Sequence, residues 1–104
     1  MTKKEKPKTH FFITAVESKE DSYGHTRCWG YHESFQIAEK EVLKNFGDMH
    51  EMMYDYIVIE EHCMGILAFT TGFTKWYKWN EKQQKYKSTK IPEWAANICH
   101  WGIC

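Results

Sequence analysis

Apolar residues recur at Phe35, Ala38, Val42 and Phe46, at steps of three, four and four, with Leu43 widening the stripe. Glu39, Lys40, Glu41 and Lys44 fall on the opposite side. That spacing predicts an amphipathic α-helix over about residues 35–46, with Ser34 as its N-cap and Gly47 in the left-handed position that ends it. Asp48 followed by Glu51 offers a second cap, so residues 49–53 are expected to add one helical turn. Its methionines Met49, Met52 and Met53 would fill an irregular gap in the core or form an adaptable contact surface. The period then changes. Over residues 54–61 both alternating sets, Tyr56 with Val58 and Ile57 with Ile59, are apolar at their middle, which predicts a central strand covered on both faces. Glu60 and Glu61 point to opposite faces and read as a solvated strand end.

The remaining elements are added around this unit. Residues 10–16, HFFITAV, and 26–32, TRCWGYH, predict two antiparallel strands joined by a polar turn over residues 17–25, with Gly30 marking a bulge or a close approach. Residues 66–69 are a short apolar run, strand or inner loop, and Thr70, Thr71 and Gly72 break the pattern. Residues 73–79 resume as a strand, 80–84 turn, and 85–88 return with Tyr86, so that aromatic side chains can pair across the hairpin. Pro92 suits a helix start, and residues 93–98 predict a short helical turn. The apolar end with Ile98, Trp101 and Ile103 should dock on the body. The order predicts an α+β domain, a largely antiparallel sheet with one main helix packed on one face and a short C-terminal helix.

Length and charge narrow the possibilities. A chain of 104 residues is one domain, here residues 10–104, with a core large enough to need neither disulfide nor metal. Residues 1–9, carrying Lys3, Lys4, Lys6, Lys8 and Pro7, are expected to form a flexible basic tail, solvated or touching phosphate. Fourteen basic residues balance fourteen acidic ones. This argues against an acidic mimic of nucleic acid and against a protein that grips a duplex through overall positive charge. No apolar run reaches the length of a membrane span, and the N-terminus lacks the apolar segment of a secretory signal, so a cytoplasmic location is expected. There Cys28, Cys63, Cys99 and Cys104 should be thiols. Five Trp, six Tyr and six Phe are more rings than a small core readily buries, so part of the aromatic surface is expected to serve a contact.

Four kinds of chemistry can be drawn from the residues. His62, Cys63, Cys99, His100 and Cys104 are zinc-type ligands, but without a C-x₂-C pair; buried cysteines and surface histidines are the plainer reading. The same residues could be assembled as a cysteine nucleophile with a base, yet no nucleophile motif accompanies them, and the chain is not expected to be an enzyme. Phosphate-loop, dinucleotide and calcium-loop patterns are absent, so no cofactor is expected. The most localised basic stretch sets Lys75, Lys78, Lys82, Lys85, Lys87 and Lys90 among Trp76, Tyr77, Trp79 and Tyr86. Lysines hold phosphates while rings stack on bases, which is how single strands are bound without a base code. The same lysines could instead keep a hairpin edge soluble, or face an acidic protein partner. A separate small-ligand site would use Arg27 for phosphate and Trp29 or Tyr31 for stacking, as in a protein that sequesters a nucleotide signal.

Short motifs carry a resemblance from Arg27 onward: Arg27, Gly30 and Tyr31 before the helix; Asn45, Asp48, Met49 and Glu51; Tyr54, Tyr56, Val58, Ile59, Glu60 and Glu61; residues 76–79, WYKW; and residues 101–103, WGI. In these the chain resembles a group of small uncharacterised proteins of Firmicute genomes, their phages and mobile elements. The resemblance implies a context in which small aromatic-rich proteins look like antagonists of bacterial defence, anti-CRISPR proteins among them, and act by binding. The expectation is therefore a non-enzymatic inhibitor of a nucleic-acid-handling defence complex. Its partner would be that defence protein or its nucleic-acid complex, with no membrane involved, and its contact residues would come from Lys75, Trp76, Tyr77, Lys78, Trp79, Lys85 and Tyr86.

Overall fold

The computed structural model describes residues 9–46, 48–52, 54–63, 69–96 and 101. Five strands, β1 (Thr9–Lys19), β2 (Ser22–His32), β3 (Tyr56–Cys63), β4 (Phe69–Asn80) and β5 (Lys85–Thr89), form one sheet in the order β2-β1-β3-β4-β5, every neighbouring pair antiparallel. One helix, α1 (Phe35–Leu43), follows the first hairpin. 3₁₀ turns at Met49–Met52 and Glu93–Ala95 flank the last three strands. This is the expected α+β architecture, with the sheet dominant. No helix among the described residues is long and apolar enough to cross a membrane.

β3 is the middle strand, and Ile57, Val58, Ile59 and Glu60 are all buried. Its alternation separates two layers. On one face Ile13, Ala15, Ile57, Ile59, Tyr77 and Tyr86 pack against Ala38 and Val42 of α1, with Met49 and Tyr54 closing the end of that core. Met49 is thus a core residue. The Tyr77 hydroxyl ties β4 to α1 by donating to Glu39 Oε2 at 2.6 Å. On the other face Val16, Val58 and Trp76 pack with Ala95, under Tyr56, Trp94 and Trp101. A sheet covered on both sides needs a strand apolar on both sides at its centre, and β3 supplies it.

Several expectations are corrected. α1 stops at Leu43 rather than near Phe46, because Asn45 takes the left-handed conformation at φ 53°. Its N–H donates to Val42 O and the Phe46 N–H to Glu41 O, both at 3.0 Å, which closes the helix by a Schellman motif. Leu43 and Phe46 consequently lie off the buried stripe, 41% and 51% exposed. The intended stop Gly47 lies outside the described residues. The broad turn expected over residues 17–25 contracts to Glu20 and Asp21, both at positive φ, the two-residue geometry that suits a twisted hairpin. Backbone pairing extends both strands through polar sequence. Pairing skips Trp29 where Ile13 faces Gly30 and Thr14 faces Cys28, so the bulge expected at Gly30 is present, with Gly30 at φ 139°. Pro92 precedes the last 3₁₀ turn as its cap rather than opening it.

Two chemical expectations change as well. Glu60 is no solvated end: it is fully buried, and both carboxylate oxygens accept from the Trp101 N–H at 2.9 Å. Cys28 is disulfide-bonded, against the expectation of four thiols, whereas Cys63 is a free thiol. Residues 1–8, Cys99, His100, Cys104, Ile98 and Ile103 lie outside the described residues, and Thr9 belongs to β1 and not to a tail.

Candidate functional site

The WYKW segment of β4 alternates across the sheet, so its members do not act together. Tyr77 and Trp79 pair with Ser88 and Tyr86 on the helix side, while Trp76 and Lys78 pair with Thr89 and Lys87 on the opposite side. Trp76, Tyr77 and Tyr86 are core residues, 2%, 0% and 0% exposed, and cannot serve as stacking platforms as expected. Trp79 is half-buried, stacked on His50 at 3.8 Å between ring centres, and donates from Nε1 to Glu81 at 3.2 Å. Lys75 faces the helix side beside Ile59. Of the expected basic and aromatic surface, Lys78 and Lys85 remain exposed together on one face.

That face carries other residues in place of the missing rings. Register puts Lys78 directly opposite Lys87, and Lys85 opposite Asn80 one step further on, all three lysines exposed. The Lys78 ammonium sits over the Tyr56 ring, 5.6 Å from its centre. Tyr56 in turn meets Trp76 and Trp94 edge-on at 6.2 and 5.6 Å. Trp76, Trp94 and Trp101 form a triangle with centroid separations of 5.3 to 6.1 Å and near-perpendicular planes. Tyr23, 42% exposed, adds its ring to Trp101 at 4.9 Å. Edge-to-face pairs each contribute roughly 0.5–1.5 kcal/mol beyond burial, so the cluster is rigid as well as apolar. Thr14 Oγ1 and Trp76 Nε1 are buried beneath it without a hydrogen-bond partner among the described residues.

Every ion pair among the described residues joins a histidine to a glutamate, and none of the described lysines has a described carboxylate within 4 Å. Like charges set directly opposite on a sheet are unfavourable. The lysine-rimmed aromatic cluster is therefore the place where an anionic group would relieve an existing repulsion.

Of the alternative ligand residues, Arg27 and Trp29 stand together and Tyr31 stands apart. Arg27 lies over Trp29 at 5.0 Å, and Trp29 packs on Tyr54 of the helix side. Tyr31 belongs to the opposite face, stacked on Phe12, and is 53% exposed. It lines an open pocket of about 570 Å³ with His10, His32, Glu33, Ser34 and Ile37, where Glu33 disfavours a phosphate. Among the described residues no group of three or more His, Cys, Asp or Glu is placed to hold a metal ion. His62 is buried beside Glu60 at 3.6 Å, and Cys63 ends β3 as a free, half-buried thiol.

Reading the segment 75–86 as a unit missed Tyr23, Tyr56, Trp94 and Trp101. These residues are far apart in the chain, and only the order of strands brings them together. Period-two alternation in WYKW was the available signal that Trp76 and Lys78 part from Tyr77 and Trp79. No family model matches this chain, and neither the curated proteins nor the solved structures include a match.

Proposed function

We propose that this chain is a non-enzymatic binding protein that antagonises a bacterial nucleic-acid-handling defence complex, in the manner of anti-CRISPR proteins, from a phage or mobile element acting in the host cytoplasm. The observation that carries the reading is the pair Lys78 and Lys87, facing each other with no carboxylate among the described residues within 4 Å, beside a partly exposed cluster of rings. Aromatic side chains on a sheet face are the composition of a contact surface, because they combine large apolar area with little rotamer entropy, and the lysines beside them leave charge to find its complement. The absence of helix-stripe continuity at Leu43 and Phe46 adds apolar area elsewhere on the surface.

The test is retention from bacterial lysate by tagged wild-type protein and by Lys78→Glu/Lys87→Glu, in reducing buffer so that Cys28 meets cytoplasmic conditions. A nucleic-acid-handling complex retained by the wild type and lost by the folded double variant is expected. Equal retention by both, or loss of the fold on reduction, would remove the reading.

A further inference from the structure

We propose that the occupant of this face is a segment of single-stranded nucleic acid, with backbone phosphates on Lys78, Lys85 and Lys87 and a base against Tyr56 and Trp94. The inference rests on the reading that this face is the contact surface, and names what it holds.

Edge protection explains only part of the lysine pattern. β5 is an edge strand, and Lys85 and Lys87 would discourage pairing with another chain. Lys78 lies on β4, which is hydrogen-bonded on both sides, so it has no edge to protect. It nonetheless faces Lys87. Placing a third cation on the same face, at Lys85, two residues along β5, sets the charges about 6.6–6.8 Å apart along the strand, comparable to successive phosphates of an extended single strand.

The neighbouring rings decide between anions. Lys78 already uses the Tyr56 ring face as a resting place for its ammonium. Drawing that ammonium onto a phosphate frees the ring for a base, while Trp94 stands edge-on behind it. Sequence-tolerant binding of single strands combines these two parts, a basic track and stacking rings. A duplex keeps its bases stacked inside and would use the lysines alone. An acidic protein surface would cover the rings as well, but it has no reason to match the spacing of Lys85 and Lys87 to successive phosphates.

The test is fluorescence anisotropy of a labelled oligothymidylate of about fifteen nucleotides, with its duplex as a competitor. Binding should weaken with salt with a logarithmic slope of about −2 for three lysines, falling by about 1.4 in Lys78→Gln/Lys87→Gln, and affinity at low salt should fall at least about tenfold in that variant. Tyr56→Ala should cost about 5- to 150-fold, its fold checked by circular dichroism. No rise in anisotropy at about 50 mM salt, an unchanged isotherm in the exposed-lysine variant, or equal competition by duplex would overturn the proposal. A defence complex lost from the lysine variant while the oligonucleotide fails to bind would assign an acidic protein surface: the inference falls and the antagonist reading stands. Oligonucleotide binding with no complex retained would do the reverse.

Discussion

Single residues here are tuned by what lies beside them. Burial, reinforced by the hydrogen bond to Glu39, raises the Tyr77 hydroxyl above its ordinary value, and burial, with Asp55 nearby, raises that of Tyr86. The folded chain holds both protons more tightly than the unfolded chain. Their contribution is intact below pH of about 10 and is lost as pH rises beyond it. Tyrosinate absorbance followed against far-UV circular dichroism should therefore leave these two side chains un-ionised until the sheet unfolds, and Tyr77→Phe should remove one late-ionising group. Complete ionisation in the folded protein would contradict the packing. Glu17 is shifted the other way: the His25 N–H, and then its ring, hold the carboxyl below its ordinary value. The chemistry of Tyr77 was hidden in the sequence because Glu39, its partner, is 38 positions away. A pattern of apolar residues reports a face and not the atom at the end of a ring.

At the scale of elements, the helix and the central strand were legible and their ends were not. Ser34 caps α1 as its hydroxyl predicts, accepting from the Ile37 N–H, and Ala38 and Val42 lie on the buried stripe. The helix end fell to Asn45 because a short polar residue tolerates the left-handed region nearly as well as glycine. The first hairpin turns at Glu20 and Asp21, where both residues bear the cost of positive φ. Glu20→Asn with Asp21→Gly supplies the residues this turn favours, so the double variant should be more stable by about 0.5–1 kcal/mol, read as a rise in the midpoint of thermal unfolding. A fall would mean that the side chains of Glu20 and Asp21 contribute contacts of their own. Composition marked residues 17–25 as polar and therefore as loop, yet strand pairing is a backbone matter and runs through Ser22 and Tyr23.

For the whole molecule, core and surface roles separate cleanly within one short segment. Trp76→Ala removes a side chain buried under Trp94 and Trp101 and should cost about 3–5 kcal/mol. Lys78→Gln/Lys87→Gln removes a facing pair of like charges and should leave stability unchanged or raise it by a few tenths of a kcal/mol. Urea unfolding of the two variants measures both. Strong destabilisation by the lysine changes would make those residues structural and would end their candidacy for contact. The aromatic excess that suggested a binding surface is resolved in this way into two uses: Trp76, Tyr77 and Tyr86 build the interior, and Tyr23, Tyr56 and Trp94 reach or approach the exterior.

By itself the amino-acid order determined the class of fold, the helix on its cap and stripe, and a middle strand apolar on both faces, because these follow from periodicities of two and 3.6 that act between near neighbours. Only the tertiary structure decided which rings are hidden, that Glu60 is buried under Trp101, and that Lys78 faces Lys87 beside Tyr56. Those outcomes depend on strand order and register, which are set by contacts between residues distant in the chain. A local pattern contains no term for them.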